Sequence, residues 1–234
     1  MVHGYDRGRR HAAAIAAIAA TLLSGASALG QRADSSTQRA TGDPPHTILA
    51  LGDVSTSERQ LDVISHALSA IERLGLQAGL FNTVIRTDTQ LVTKGAITAA
   101  TGTLTYYKNL DDFAAVLMFV QGNPSLNAQQ KSDLLSFVRS GKGLIAIDTT
   151  LSAFDSWPEF RDLLGSGGRG IQVLQGSRRA PIVWTRRYGR GRIFVSRLGH
   201  DDQTWDNEDF QRTIMEGVRW AIGTKKQLAA DGHR

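Results

Sequence analysis

The chain has 234 residues, a formal net charge of +5 and no cysteine, which excludes disulfides, thiolate metal ligands, a cysteine nucleophile and lipidation at a lipobox. Arg7, Arg9 and Arg10 against Asp6 carry +2 of the charge, and about +3 spread over the rest is a weak electrostatic case for a polyanionic partner.

Residues 1–30 read as a secretory signal peptide: the arginines precede an apolar run from Ala12 to Leu23, and small residues follow from Ser24 to Gly30. The run is shorter than the roughly 20 residues a spanning helix needs. Arg9-Arg10 leaves the export route open between the general secretory and twin-arginine systems. The expected location is therefore secreted or periplasmic, with no membrane attachment after cleavage. Residues 31–45 look like a disordered linker, being rich in polar residues without apolar periodicity. Residues 46–224 are long enough for one α/β domain, and residues 225–234 read as a flexible tail.

Within the domain, Thr47 to Leu51 is a continuous apolar run that predicts a strand covered on both faces. Leu61, Ile64, Leu68 and Ile71 predict a helix stopped by Gly75, followed by a strand from Leu80 to Ile85. Thr87 to Leu110 has no period and is expected to run over the surface. Val116 to Val120 predicts a third strand. Asn127 and Gln130 then form a capping-box start for a helix ended by Gly141, and Gly143 to Ile147 predicts a fourth strand. A short helix is expected over Pro158 to Leu164, then a glycine-rich break from Gly165 to Gly170. A hairpin of Pro181–Thr185 and Ile193–Leu198 flanks Arg186 to Arg192, and a last helix runs from near Asp206 to Gly223. Repeated strand, loop and helix units imply a mostly parallel three-layer α/β sheet with a C-terminal hairpin.

In such sheets ligands collect at the carboxyl edge. Asp53, Gln121, Asp148 and His200 each follow a predicted strand directly or within two residues, so they are expected to converge on one crevice. His200 is the candidate acid or base, since imidazole titrates near neutrality and a carboxylate can orient it, and Asp148 is its candidate partner. Gly122, Thr149, Trp157, Gly199 and Asp201 complete the candidate binding set. Trp157 and Trp205 could stack on a pyranose face, or serve as packing anchors. Asp53, Asp148 and His200 would suit a divalent cation if their strands are neighbours, but no local ligand spacing supports one, so no metal site is assigned. Arg178, Arg179, Arg186, Arg187, Arg190, Arg192 and Arg197 form a basic cluster followed at once by five acidic residues. It reads as a solvated, internally paired hairpin, and nucleic acid is not expected.

The segment from Tyr188 to Trp220, with Gly199-His200, Thr204-Trp205 and Arg219-Trp220, resembles the end of ThuA-like (trehalose-utilisation) proteins. Asn127 to Ile147, Asp155 to Gly165 with Trp157-Pro158-Glu159-Phe160, and Thr87-Asp88-Thr89 agree with that resemblance in order and spacing. The resemblance implies a flavodoxin-like fold similar to class I glutamine amidotransferase domains, and a sugar-related role. Asp148 stands at the turn where amidotransferases carry their cysteine and where ThuA-like proteins commonly carry histidine. Gly52-Asp53-Val54-Ser55 replaces the family's usual first-strand loop, and the connection from Phe160 to Pro181 is short. The expected partner is a small-molecule carbohydrate, either bound and processed by acid-base chemistry or bound by a catalytically silent interaction module. Cofactor and oligomeric state are left open.

Overall fold

The computed structural model describes residues 45–52, 61–97, 108–166 and 168–224, all within one compact unit that spans Asp43–Arg234. The expected signal peptide, almost all of the linker, the C-terminal tail and Asp53 lie outside the described residues.

Seven strands form one sheet in the order β2-β1-β3-β4-β7-β6-β5. They are β1 (His46–Leu51), β2 (Phe81–Arg86), β3 (Ala115–Met118), β4 (Gly143–Ile147), β5 (Ile171–Gly176), β6 (Pro181–Tyr188) and β7 (Gly191–Ser196). The first five in spatial order are parallel, while β6 and β5 continue the sheet antiparallel. Register aligns Val84, Leu49, Val116, Leu144 and Ile193 in a row across the parallel strands. The helices are α1 (Leu61–Gln77), α2 (Ala128–Arg139), α3 (Pro158–Leu164), α4 (Asp202–Asp206) and α5 (Glu208–Ile222).

The uninterrupted apolar runs have a direct cause, because alternate residues feed two cores. Leu49, Leu51, Val116, Leu144 and Val195 pack with Leu134 and Phe137 of α2 and Phe160 and Leu163 of α3. Ile48, Ala50, Leu117, Ile145 and Phe194 pack on the other face with Ile64 and Ile71 of α1, Trp205 of α4 and Ile214 and Val218 of α5. Each central strand position is therefore desolvated, and a polar residue on either face would lose its water. No helix among the described residues is long and apolar enough to cross a membrane.

The predicted parallel centre and lateral hairpin are present, and the Asn127–Gln130 capping box forms with both reciprocal hydrogen bonds. Four boundaries differ. First, α1 passes through Gly75, whose carbonyl and that of Leu76 accept the Leu80 and Gly79 N–H groups, and Gly79 at φ +57 turns the chain out of the helix. A Cβ at Gly75 would lie 2.3 Å from the Phe81 ring, so this glycine answers a packing demand and not a stop signal. Second, the segment after β2 is anchored where it is described: Leu91 and Val92 are buried, the carboxylate of Asp133 on α2 accepts from the Lys94 N–H and the Thr93 hydroxyl, and residues 98–107 lie outside the described residues.

Third, the stretch after the glycine-rich break forms β5, an edge strand with a bulge around Gln175, and the hairpin is tighter than expected, with Tyr188 paired to Gly191. Fourth, a short helix that the sequence did not show, α4, precedes the expected last helix, which forms as α5 and stops at Gly223. Asn207 ends α4 and its side chain accepts from the Asp209 and Phe210 N–H groups to start α5.

Candidate functional site

At the carboxyl end of β4 the chain turns sharply into a 3-10 turn, Asp148–Leu151. Asp148 adopts φ +46, a left-handed conformation that non-glycine residues rarely hold unless the surroundings impose it. The imposing contact is visible two residues on. Thr150 is fully buried, and its hydroxyl donates to the Met118 carbonyl at 2.8 Å and accepts from the Val120 N–H at 3.0 Å. One side chain thus ties the turn after β4 to the end of β3. Phe154 N–H adds a second tie by donating to the Gly122 carbonyl.

The exit of the neighbouring strand is fixed just as tightly. Ile147 and Ser196 are register partners, so β4 and β7 end side by side. Gly199 bends the chain at φ +120, its carbonyl accepts from the buried Trp205 indole at 2.9 Å, and a Cβ there would come 2.9 Å from the Ile147 side chain. Asp201 then caps α4, accepting from the Thr204 N–H at 2.7 Å; that bond, followed by the one from the Thr204 hydroxyl, holds its carboxyl below the usual range. His200 sits between these two anchored neighbours. Its Nδ1 lies 3.1 Å from Asp148 Oδ2, with the histidine side chain 69 % exposed and the aspartate 14 %.

The pair faces a cavity of about 430 Å³, within the range that holds small-molecule ligands. Asp148, Thr149, Leu151 and Ser152 form one wall, and Arg161, Ser166, Arg197 and His200 complete it. The Thr149 hydroxyl oxygen is enclosed without a hydrogen-bond partner among the described residues. With Nδ1–H donating to the aspartate, the exposed Nε2 of His200 becomes the basic nitrogen, the arrangement in which a carboxylate orients an imidazole for proton transfer.

Of the residues expected at the site, the structure brings Asp148, Thr149 and His200 to this cavity. Gln121 and Gly122 follow β3 but do not line it. Trp157 is 4 % exposed, stacked on Phe160 with centroids 5.2 Å apart and edge-on to Phe154, so its ring belongs to the core and not to the cavity wall. Gly199 is buried and its carbonyl is taken by Trp205. Asp201 lines a separate pocket of about 410 Å³ with Leu198, Thr204 and Phe210. Asp53 lies outside the described residues. Among the described residues no group of three or more His, Asp or Glu side chains is arranged to hold a metal ion.

Sequence reasoning missed Ser152, Ser166, Arg161 and the site position of Arg197. Arg197 follows β7 directly, so the strand-end rule that singled out His200 applies to it equally. The hairpin arginines find carbonyls and rings: Arg186 donates to the Asp162 carbonyl, Arg187 and Arg192 lie over Trp220, and Arg197 lies over Trp184.

Together these features define a doubly covered α/β domain with a histidine–carboxylate pair at the carboxyl edge of its sheet. The family model described as trehalose utilisation (ThuA) matches residues 169–221, the stretch that carries β5, the hairpin, His200 and nearly all of α5. The chain is ThuA-like in that segment and in its fold. The fold is similar to that of a ThuA-like protein from Parabacteroides merdae ATCC 43184, at 16% identity and a TM-score of 0.57, covering 79% of this chain and 93% of that one. It is similar as well to a ThuA-like protein from Bacteroides uniformis ATCC 8492, at 12% identity and a TM-score of 0.58, covering 79% of this chain and 95% of that one. No curated protein sequence matches the chain.

Proposed function

We propose that the protein is an exported ThuA-like domain that binds a carbohydrate or sugar derivative in the cavity at the ends of β4 and β7 and processes it by acid-base chemistry. The observation that carries the reading is the strained Asp148 held against an exposed histidine over a ligand-sized cavity. Strain of this kind persists where surrounding contacts over-determine it, and such sites concentrate at working positions. In this reading His200 Nε2 takes or gives the proton and Asp148 holds the ring. Thr149 and Ser152 are at hand on the same wall for sugar hydroxyls. Export rests on the arginine-led apolar segment at the start of the chain.

Saturation-transfer NMR against a panel of mono- and disaccharides and their oxidised or phosphorylated derivatives tests the site. Binding is expected for the native chain and is expected to vanish in His200→Ala, with the urea midpoint unchanged because that side chain is largely exposed. Unfolding of the variant, or unaltered binding, overturns the reading. Binding without any chemical change in the ligand points instead to the silent interaction module. Mass spectrometry of material from outside the cytoplasm checks export: an intact Met1 terminus confined to the cytosol would contradict it.

A further inference from the structure

The cavity holds two guanidinium groups that the acid-base pair does not use. Arg161 projects from α3 into its lining, and among the described residues no ion pair or side-chain hydrogen bond involves it. Arg197 reaches the same lining from the end of β7. Its Nε donates to the Pro181 carbonyl at 2.9 Å and its guanidinium lies 5.5 Å from the Trp184 ring centre, so the fork is held in orientation while its terminal nitrogens have no partner among the described residues. Against these two positive charges the lining offers one carboxylate, Asp148, already engaged by His200. An arginine fork matches carboxylate and phosphate oxygens in two-point geometry; Arg161 lies on α3, and Arg197, directly after β7, is oriented by its bond to the Pro181 carbonyl.

We infer that the cavity takes a small polyol carrying one anionic group, a carboxylate or a phosphate, with Arg161 and Arg197 clamping the anion and the hydroxyl-bearing part lying toward Asp148 and His200. The inference rests on the proposed site and specifies its substrate class: an oxidised or phosphorylated sugar in place of a neutral one. The reaction that supplies the ligand is then either oxidation of a sugar carbon to a carboxylate or transfer of a phosphoryl group to a sugar hydroxyl.

Calorimetry with matched probes separates the possibilities: glucose, glucuronate, glucose 6-phosphate and inorganic phosphate, each against the native chain, Arg161→Gln, Arg161→Glu and His200→Ala. One of the two anionic sugars is expected to bind at least roughly tenfold more tightly than glucose, the scale of one charge-assisted pair, and which one does so distinguishes carboxylate from phosphate. Arg161→Gln is expected to remove most of that advantage, and Arg161→Glu to remove it fully. Because Arg161 is an exposed helical residue, both variants should keep the native unfolding midpoint. His200→Ala should weaken all sugar probes together.

Equal affinity for glucose and both anionic sugars, or an anion preference untouched in Arg161→Glu, overturns the clamp and leaves the sugar site standing. Phosphate binding as tightly as glucose 6-phosphate reduces the cavity to a simple anion site and also overturns the inference. Failure of every probe to bind overturns clamp and sugar site alike.

Discussion

Two buried polar side chains do work at the level of single residues that apolar packing cannot. Thr150 bridges β3 and the turn after β4 with two hydrogen bonds at zero exposure. Thr150→Val keeps the shape but leaves the Val120 N–H and the Met118 carbonyl without that partner, which should lower stability by about 1–3 kcal/mol. The same change should release Asp148 and weaken ligand binding, so urea unfolding and calorimetry on one variant read both effects. If neither changes, the hydroxyl does not hold the turn.

Asp133 makes a separate test through pH. Burial pushes its carboxyl up, but the Lys94 N–H, the Gln129 amide and the Thr93 hydroxyl together outweigh burial and leave it below the ordinary 3.8. A carboxyl lowered on folding contributes stability that is present above its unfolded value and lost as pH falls through the folded one. Native stability should therefore decline below about pH 4, while Asp133→Asn should be weaker by about 2 kcal/mol at neutral pH and show a shallower acid decline. Parallel acid limbs in urea titrations of the two proteins would refute this assignment.

Among the elements, α1 separates two uses of glycine that look identical in sequence. Gly75→Ala adds helix propensity worth up to about 1 kcal/mol, yet its Cβ would meet the Phe81 ring at 2.3 Å. Overpacking of that kind costs about 1–3 kcal/mol, so the net change should be destabilising. Gly79→Ala meets nothing within 4 Å but must hold φ +57, so its cost of about 1–2 kcal/mol comes from the backbone alone. Adding Phe81→Leu should rescue Gly75→Ala and leave Gly79→Ala unaffected, as a double-mutant cycle by thermal or urea unfolding would show.

The elements differ in how much of themselves they display in the sequence. β1, β3 and β4 are legible because their apolar runs, Ile48–Leu51, Ala115–Met118 and Leu144–Ile147, are unbroken and buried in the two covered layers. β5 is not, because it lies at the sheet edge, is only half covered and follows a run of glycines that reads as loop. Gly75 was misleading for a related reason: local sequence shows a helix breaker, while the ring that requires it comes from the next strand. At the site, Asp148 and His200 were legible as strand-end residues. Arg161 was not, since an arginine on the exposed face of a short helix carries no local mark, and only the packing of α3 beside the β4 and β7 ends brings it to the cavity.

For the whole molecule, one strand joins two kinds of sheet. β7 pairs parallel with β4 on one side and antiparallel with β6 on the other. The antiparallel pairing closes between Tyr188 and Gly191, whereas the β1–β3 pairing joins Ile48 to Ala115, more than sixty residues apart. Loop-closure entropy makes the distant pairing about 3 kcal/mol harder to initiate. The order of events during folding should follow that difference: the hairpin zips first and presents the free edge of β7 as a template onto which β4, then β3 and β1, are added. Val195→Ala, opposite Trp184 in the hairpin, should slow refolding, with a φ-value above about 0.5, whereas Leu49→Ala in β1 should act mainly on unfolding, with a φ-value below about 0.3. Arg197 and His200, both just after β7, would then meet Asp148 and Arg161 when β4 docks, and the turn bearing Asp148 would be fixed only when β3 follows and Thr150 bonds to it, so the ligand site is completed after the hairpin and not with it.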